Sequence, residues 1–403
     1  MPGPLSARRR RAGPGLLLGI GLAAIVAACG DAGLGTTGKL AVVDTAAAAA
    51  SAGTWRWDLP RHFPVPRVPP DNPMSVQKVE LGRFLFHDRR LSGNGTMSCA
   101  SCHRQDRAFT DGRAVAIGST GALHPRNAQP LANSAYHPTL TWANKSLTAL
   151  EQQMQVPLFG TNPVEMGIND ANKSEVLERL RSDADYGARF ASAFPGETGA
   201  VSWQNVAKAI ASFQRSLISA GSAYDRHLLT GNAMSDQALR GQRLFFGEKA
   251  ECFHCHGSFN FNDQVVHAAT RVLELPFSNT GLFNIGGTGA FPAGNRGLFE
   301  LTGLASDMGR FRAPGLRNVE KTAPYMHDGS MATLEEVLDF YAAGGRDITD
   351  GPFAGDGRQN PFKSSLVSQI RLDAQEKADL VAFLKALTDD AFLTSPSHAN
   401  PFR

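Results

Sequence analysis

Apolar positions return every three or four residues in several stretches of the chain, and the clearest of them come in pairs. Val206, Ile210, Phe213 and Leu217 fall on one helical face, and Leu372, Leu380, Phe383, Leu384 and Leu387 fall on another. Such spacing is what a helix needs to bury one stripe against a core. Well upstream of each lies another helical segment with a shared Gly-x-x-Leu-Phe pattern, within Leu81 to Phe86 and within Arg240 to Phe245. One further helix is predicted over Thr333 to Tyr341, where Thr333 and Glu336 have the spacing of a capping box. Strand signals are sparse. Pro60 to Pro73 holds six prolines and should run extended, and Gly-rich stretches such as Gly281 to Gly297 read as loops. The pattern predicts a mainly α protein with long loops. It is built from a duplicated unit: one domain over 55–234, a second over 235–393 and a tail at 394–403.

Charge and composition narrow the class. The chain has 403 residues, 42% hydrophobic and 19% charged, which suits globular domains with real cores. The formal charge of +3 is carried by an arginine run, Arg8 to Arg11. Without those four arginines the balance is about −1, which gives no electrostatic footprint for nucleic acid. The run is followed by an apolar stretch from Leu16 to Ala28, too short to span a bilayer as a mature helix and suited to a signal peptide over residues 1–28. Val26-Ala27-Ala28-Cys29 is similar to a bacterial lipobox. Cys29 would then be lipidated, and 29–54 would be a small-residue tether. Ordinary cleavage beside an incidental cysteine is the other reading. With the anchor, the protein is expected in the periplasm, held to a membrane by lipid alone and, in a Gram-negative host, to the outer membrane.

Four cysteines remain, in two C-x-x-C-H motifs: Cys99-Ala-Ser-Cys102-His103 and Cys252-Phe-His-Cys255-His256. Two thiols at this spacing reach two vinyl groups on one porphyrin edge, and the adjacent histidine can swing beneath the ring to bind iron. A zinc site could use both cysteine pairs but would not need a histidine directly after each. The motifs therefore imply two covalently attached c-type haems, one in each copy of the duplicated unit.

Around these motifs the chain resembles the bacterial dihaem cytochrome c peroxidase and MauG superfamily. The resemblance rests on Arg312-Ala-Pro-Gly-Leu-Arg-Asn-Val319 and Thr322-Ala-Pro-Tyr-Met-His-Asp-Gly329, and covers about residues 70 to 390. Details near residue 57, at 91–96 and at 253–261 look nearest to the MbnH-type dihaem enzymes, relatives that use peroxide to oxidise a tryptophan of a partner, MbnP, to kynurenine. By that resemblance the second haem's distal ligand is Tyr341, where peroxidases have methionine; a phenolate is a hard anionic ligand that stabilises high-valent iron. Met326, Met331 and His327 are the alternatives. The first haem is expected to be open on its distal side, with Ser119 where peroxidases carry a blocking histidine and with His124 nearby in sequence. Glu165, in Asn162-Pro-Val-Glu-Met166, takes the acid–base role, and Gln153 and Pro157 match other distal-pocket positions. Trp142 matches a tryptophan between the haems. Asn127, Thr322 and Pro324 match an interdomain calcium site. The surface tryptophan by which MauG passes holes outward is replaced here by Ala250.

The resemblance thus implies an enzyme that uses hydrogen peroxide, through a bis-Fe(IV) state, to oxidise a tryptophan on an exported MbnP-like partner. The alternative is a cytochrome c peroxidase that reduces peroxide with electrons from a small redox protein. A plain electron carrier would need neither Glu165 nor Gln153.

Overall fold

The computed structural model describes residues 53–402. The predicted signal peptide, the lipobox with Cys29 and nearly all of the tether lie outside them. Ser75 opens the first long helix, Val76–His87, by accepting the Lys78 N–H on its hydroxyl at 3.2 Å. Lys78, Leu81, Gly82, Leu85 and Phe86 form its buried stripe. It packs against Trp203–Ser216, capped in the same way by Ser202. The second half repeats the pair: Asp236–Phe245, capped by Ser235, packs against Ala374–Lys385, opened by an Asp373–Glu376 capping box. Each pair is thus a leading helix and a closing helix with a C-x-x-C-H motif between them in sequence. Leu217 and Leu387 lie just beyond their closing helices, and Leu372 lies before the Asp373 cap.

Glycine explains why the duplicated pattern survives. A Cβ on Gly82 would sit 2.0 Å from the Ala209 carbonyl oxygen, and one on Gly241 would sit 1.9 Å from that of Asp379. The two helices of each pair touch backbone to backbone at these points, which no other residue allows. Leu85 and Phe86 fill the first core, and Phe245 the second. An aromatic trio closes each crossing: Phe86, Phe109 and Phe213 in the first half, and Phe245, Phe261 and Phe383 in the second.

Most other connections are irregular. The strands among the described residues are a two-residue antiparallel pair, Asp347 opposite Asp356 and Ile348 opposite Gly355. The proline-rich stretch forms neither helix nor strand, and it seats Phe63 against Tyr136 and Phe259. Residues beyond the second closing helix return to the first core. Phe392 packs in it, Gln105 donates to the carbonyls of Phe392 and Ser395, and Arg83 donates to those of Pro396 and Ala399. No helix of the described residues is long and apolar enough to cross a membrane.

The helix carrying Tyr341 runs from Leu334 to Ala343. Its predicted capping box is only half made. Thr333 Oγ1 accepts the Glu336 N–H at 3.1 Å, but the Glu336 carboxylate takes the N–H of Ala332 at 2.6 Å, one residue before the cap. The helix start is still fixed, because the Thr333 hydroxyl satisfies a donor of its first turn and the Glu336 carboxylate ties down the residue before the cap.

Candidate haem sites and the wall between them

Each C-x-x-C-H motif forms a short helical turn on the wall of its own cavity. The first cavity is lined by Cys99, Cys102 and His103. The second is lined by Cys252, Cys255 and His256. One backbone device aims both histidines. His103 Nδ1 donates to the Phe109 carbonyl and His256 Nδ1 to the Phe261 carbonyl, each at 2.8 Å. A carbonyl can only accept, so Nδ1 carries the proton and Nε2 keeps its lone pair for iron. Phe109 and Phe261 both have positive φ, 64° and 54°, which turns their carbonyls back onto the imidazoles. Burial keeps both imidazoles neutral by lowering their pKa. It also pushes the thiols up, to about 12 for Cys99 and Cys252 and about 11 for Cys102 and Cys255. Two thiols and an imidazole whose Nδ1 is already committed, together on the wall of a mostly apolar cavity, fit a covalent haem in each half.

The first cavity carries Glu165, Gln153, Pro157, His124 and Trp142 on its lining. Burial raises the Glu165 carboxyl to about 7. Ser119 is not part of this wall. Its hydroxyl lies against Gly167 and has no hydrogen-bond partner, while its N–H donates to the Glu165 carbonyl at 2.7 Å. The Ser119 side chain thus stays off the cavity: its backbone ties the loop to the Glu165 segment, and His124 is the loop side chain that lines the cavity. His124 Nδ1 accepts the Arg126 N–H at 3.2 Å, so the proton of the neutral ring sits on Nε2, 3.7 Å from Glu165 Oε1.

The second cavity carries Tyr341, together with Met326 and His327; Met331 is buried outside it. Burial raises the Tyr341 phenol well above its ordinary value, with the two thiols adding to the shift. His327 stacks on Phe311 at 3.7 Å and leaves Nε2 buried without a partner. Asn127, Thr322 and Pro324 all line this cavity. The Asn127 carbonyl accepts the Trp142 indole N–H at 2.8 Å, and its amide donates to the Arg113 carbonyl. Ala250 is buried on the same lining.

Asn127, Pro130, Trp142 and Arg312 line both cavities. The tryptophan expected between the haems is therefore on their common wall. Sequence reasoning missed the carbonyls of Phe109 and Phe261, because a backbone acceptor has no residue signature. It also gave Arg312 no role, although the arginine opens a motif that was recognised.

Comparison with known proteins agrees with this arrangement. A family model described as di-haem cytochrome c peroxidase matches residues 76–233. Cytochrome-c peroxidase IdrP1 of Pseudomonas sp. (strain SCT) is 37% identical over 340 residues, covering 81% of this chain and 84% of that protein. Methylamine utilization protein MauG of Methylorubrum extorquens is 33% identical over 376 residues, covering 91% of this chain and 94% of that protein. Among solved structures, a MauG-like protein associated with microbial copper homeostasis is 58% identical with a TM-score of 0.86, covering 87% of this chain and all of the other. The expected fold, two tandem cytochrome c-like domains, stands on these likenesses and on the helix pairs described above.

Proposed function

Because the chain belongs to the dihaem cytochrome c peroxidase and MauG family, and so is a peroxide-using haem enzyme with two c-type haems, we propose that it oxidises a tryptophan of an exported, MbnP-like partner protein to kynurenine. One observation carries this reading: the two cavities are unequal. The first presents a carboxylate with a raised pKa, and the second presents a tyrosine. When bound, the haems supply the oxidising equivalents released by peroxide. Glu165 takes the proton from the near peroxide oxygen and returns it to the leaving one, a role suited to a group that titrates near neutrality. His124 faces the Glu165 carboxylate at 3.7 Å, Gln153 offers an amide to the oxygens, and Pro157 walls the pocket. Tyr341 would hold the second haem's iron as a hard anionic ligand, with His256 on the same cavity lining. Trp142 carries charge between the two sites through its indole. Asn127, Thr322 and Pro324 would hold a calcium ion by neutral oxygens. The domain boundary falls between Met234 and the Ser235 cap, and the lipid anchor on Cys29 keeps the enzyme at a membrane facing the periplasm. The solved MauG-like neighbour associated with copper homeostasis supports a MauG-type role over simple detoxification.

The test is peroxide addition to the dihaem protein with the candidate partner, followed by mass spectrometry. A mass gain matching kynurenine is the expected result; an unchanged partner overturns the reading. The names of the curated peroxidase relatives favour a second reading, peroxide reduction fed by a small redox protein. Fast turnover with a reduced cytochrome or cupredoxin, and no change in the partner, would establish it.

A further inference from the structure

Arg312 is only 3% exposed, yet its guanidinium is incompletely satisfied. Nε donates to the Thr141 carbonyl at 3.3 Å and Nη2 to Gln129 Oε1 at 3.2 Å, while Nη1 is buried with no partner. Its backbone is fixed as well, by an N–H bond to the Trp142 carbonyl at 2.9 Å. An unpaired buried guanidinium is costly unless an anion completes it. The neighbouring carboxylate, Asp263, attracts Arg312 from a distance but makes no hydrogen bond to it, and its own Oδ1 is buried and unpartnered. Arg312 lines both cavities. In the second, no other lysine or arginine contributes to the lining; in the first, the other arginine is Arg126, which is paired with Glu300 at 2.6 Å.

Each haem c brings two propionate carboxylates into a mostly apolar cavity, so a fixed cation is needed where those groups end. We propose that Arg312 is a shared anion clamp, holding a propionate of each haem with one guanidinium on their common wall. The planar fork can serve two carboxylates on different edges, which an ammonium cannot do at fixed geometry. Burial lowers the arginine only to about 10, so it remains cationic at neutral pH. The clamp makes the two irons respond together, because one charge lies near both. It is independent of which protein or donor receives the oxidation.

A ferric haem carries one more positive charge than a ferrous haem. Removing a nearby cation therefore favours the ferric form and lowers the midpoint potential. Spectroelectrochemical titration of the full dihaem protein should show both potentials falling in Arg312→Gln and largely retained in Arg312→Lys. A fall at one haem alone, or at neither, overturns the shared clamp. Should Arg312→Gln not load haem, Arg312→Lys decides by resonance Raman: the propionate bending modes of both haems should shift as the fork is lost, and an unchanged spectrum overturns the proposal. A purely structural role would alter folding without moving both haems in the same direction.

Discussion

Around the two C-x-x-C-H motifs the halves are nearly the same object. A serine-capped leading helix crosses its closing helix at a glycine, and a phenylalanine with positive φ returns its carbonyl to the histidine of the motif at 2.8 Å. Elsewhere on the cavity linings they diverge. The first half offers Glu165 and His124, borne on loops fastened by the Ser119–Glu165 backbone bond. The second offers Tyr341 on a regular helix. The difference teaches where each demand lies. Attaching a haem needs a fixed turn, an aimed imidazole and a tight helix crossing, so duplication preserved them. The other lining side chains can change without disturbing that frame.

The sharpest way to break the comparison is at Glu165. Glu165→Gln should slow the reaction with peroxide by about 10²- to 10⁴-fold, the usual worth of a positioned base, read by stopped-flow absorbance. A normal rate would remove the assignment. In the unaltered protein the base is the deprotonated form, and burial has raised its pKa to about 7. The rate should therefore rise with pH through neutrality and level off above it, and that dependence should vanish in Glu165→Gln. The corresponding change in the second half, Tyr341→Phe, should alter the low-spin EPR signal of that haem and leave the first haem's signal in place. An unchanged spectrum would make Tyr341 a packing residue and return attention to Met326 or His327.

The shared frame predicts symmetry instead. Gly82→Ala and Gly241→Ala each drive a methyl group into a backbone carbonyl at 2.0 and 1.9 Å. Each should cost about 1–3 kcal/mol by overpacking, seen as a lower thermal midpoint of the dihaem protein. A large cost at one glycine and none at the other would mean the crossings are not equivalent. The smallest effect is expected at Asn127, Thr322 and Pro324. Chelator treatment should perturb the haem spectra modestly, and unchanged spectra would argue against calcium.

How far the sequence led can be judged from particular residues. The two C-x-x-C-H motifs fixed the chemistry unaided, because thioether formation and iron ligation require those atoms at that local spacing. The paired glycine pattern and the amphipathic stripes gave the helices, since helical periodicity is written locally. The resemblance named Glu165, Gln153, Pro157, Trp142 and Tyr341, and the fold gathers them on the expected cavities. The resemblance placed Ser119 and His124 in one loop but could not say which side chain lines the cavity, because facing a cavity is not a property of sequence position; it is His124. Glu336 was misread for a related reason, since a carboxylate at the third position can reach either of two N–H groups. What only the tertiary structure decided is the common wall. Trp142 and Arg312 stand 170 residues apart in the chain, yet line the same two cavities and share a backbone hydrogen bond. Their meeting, and the unfilled valence of a buried guanidinium, arise from long-range packing of loops that carry no periodic signal.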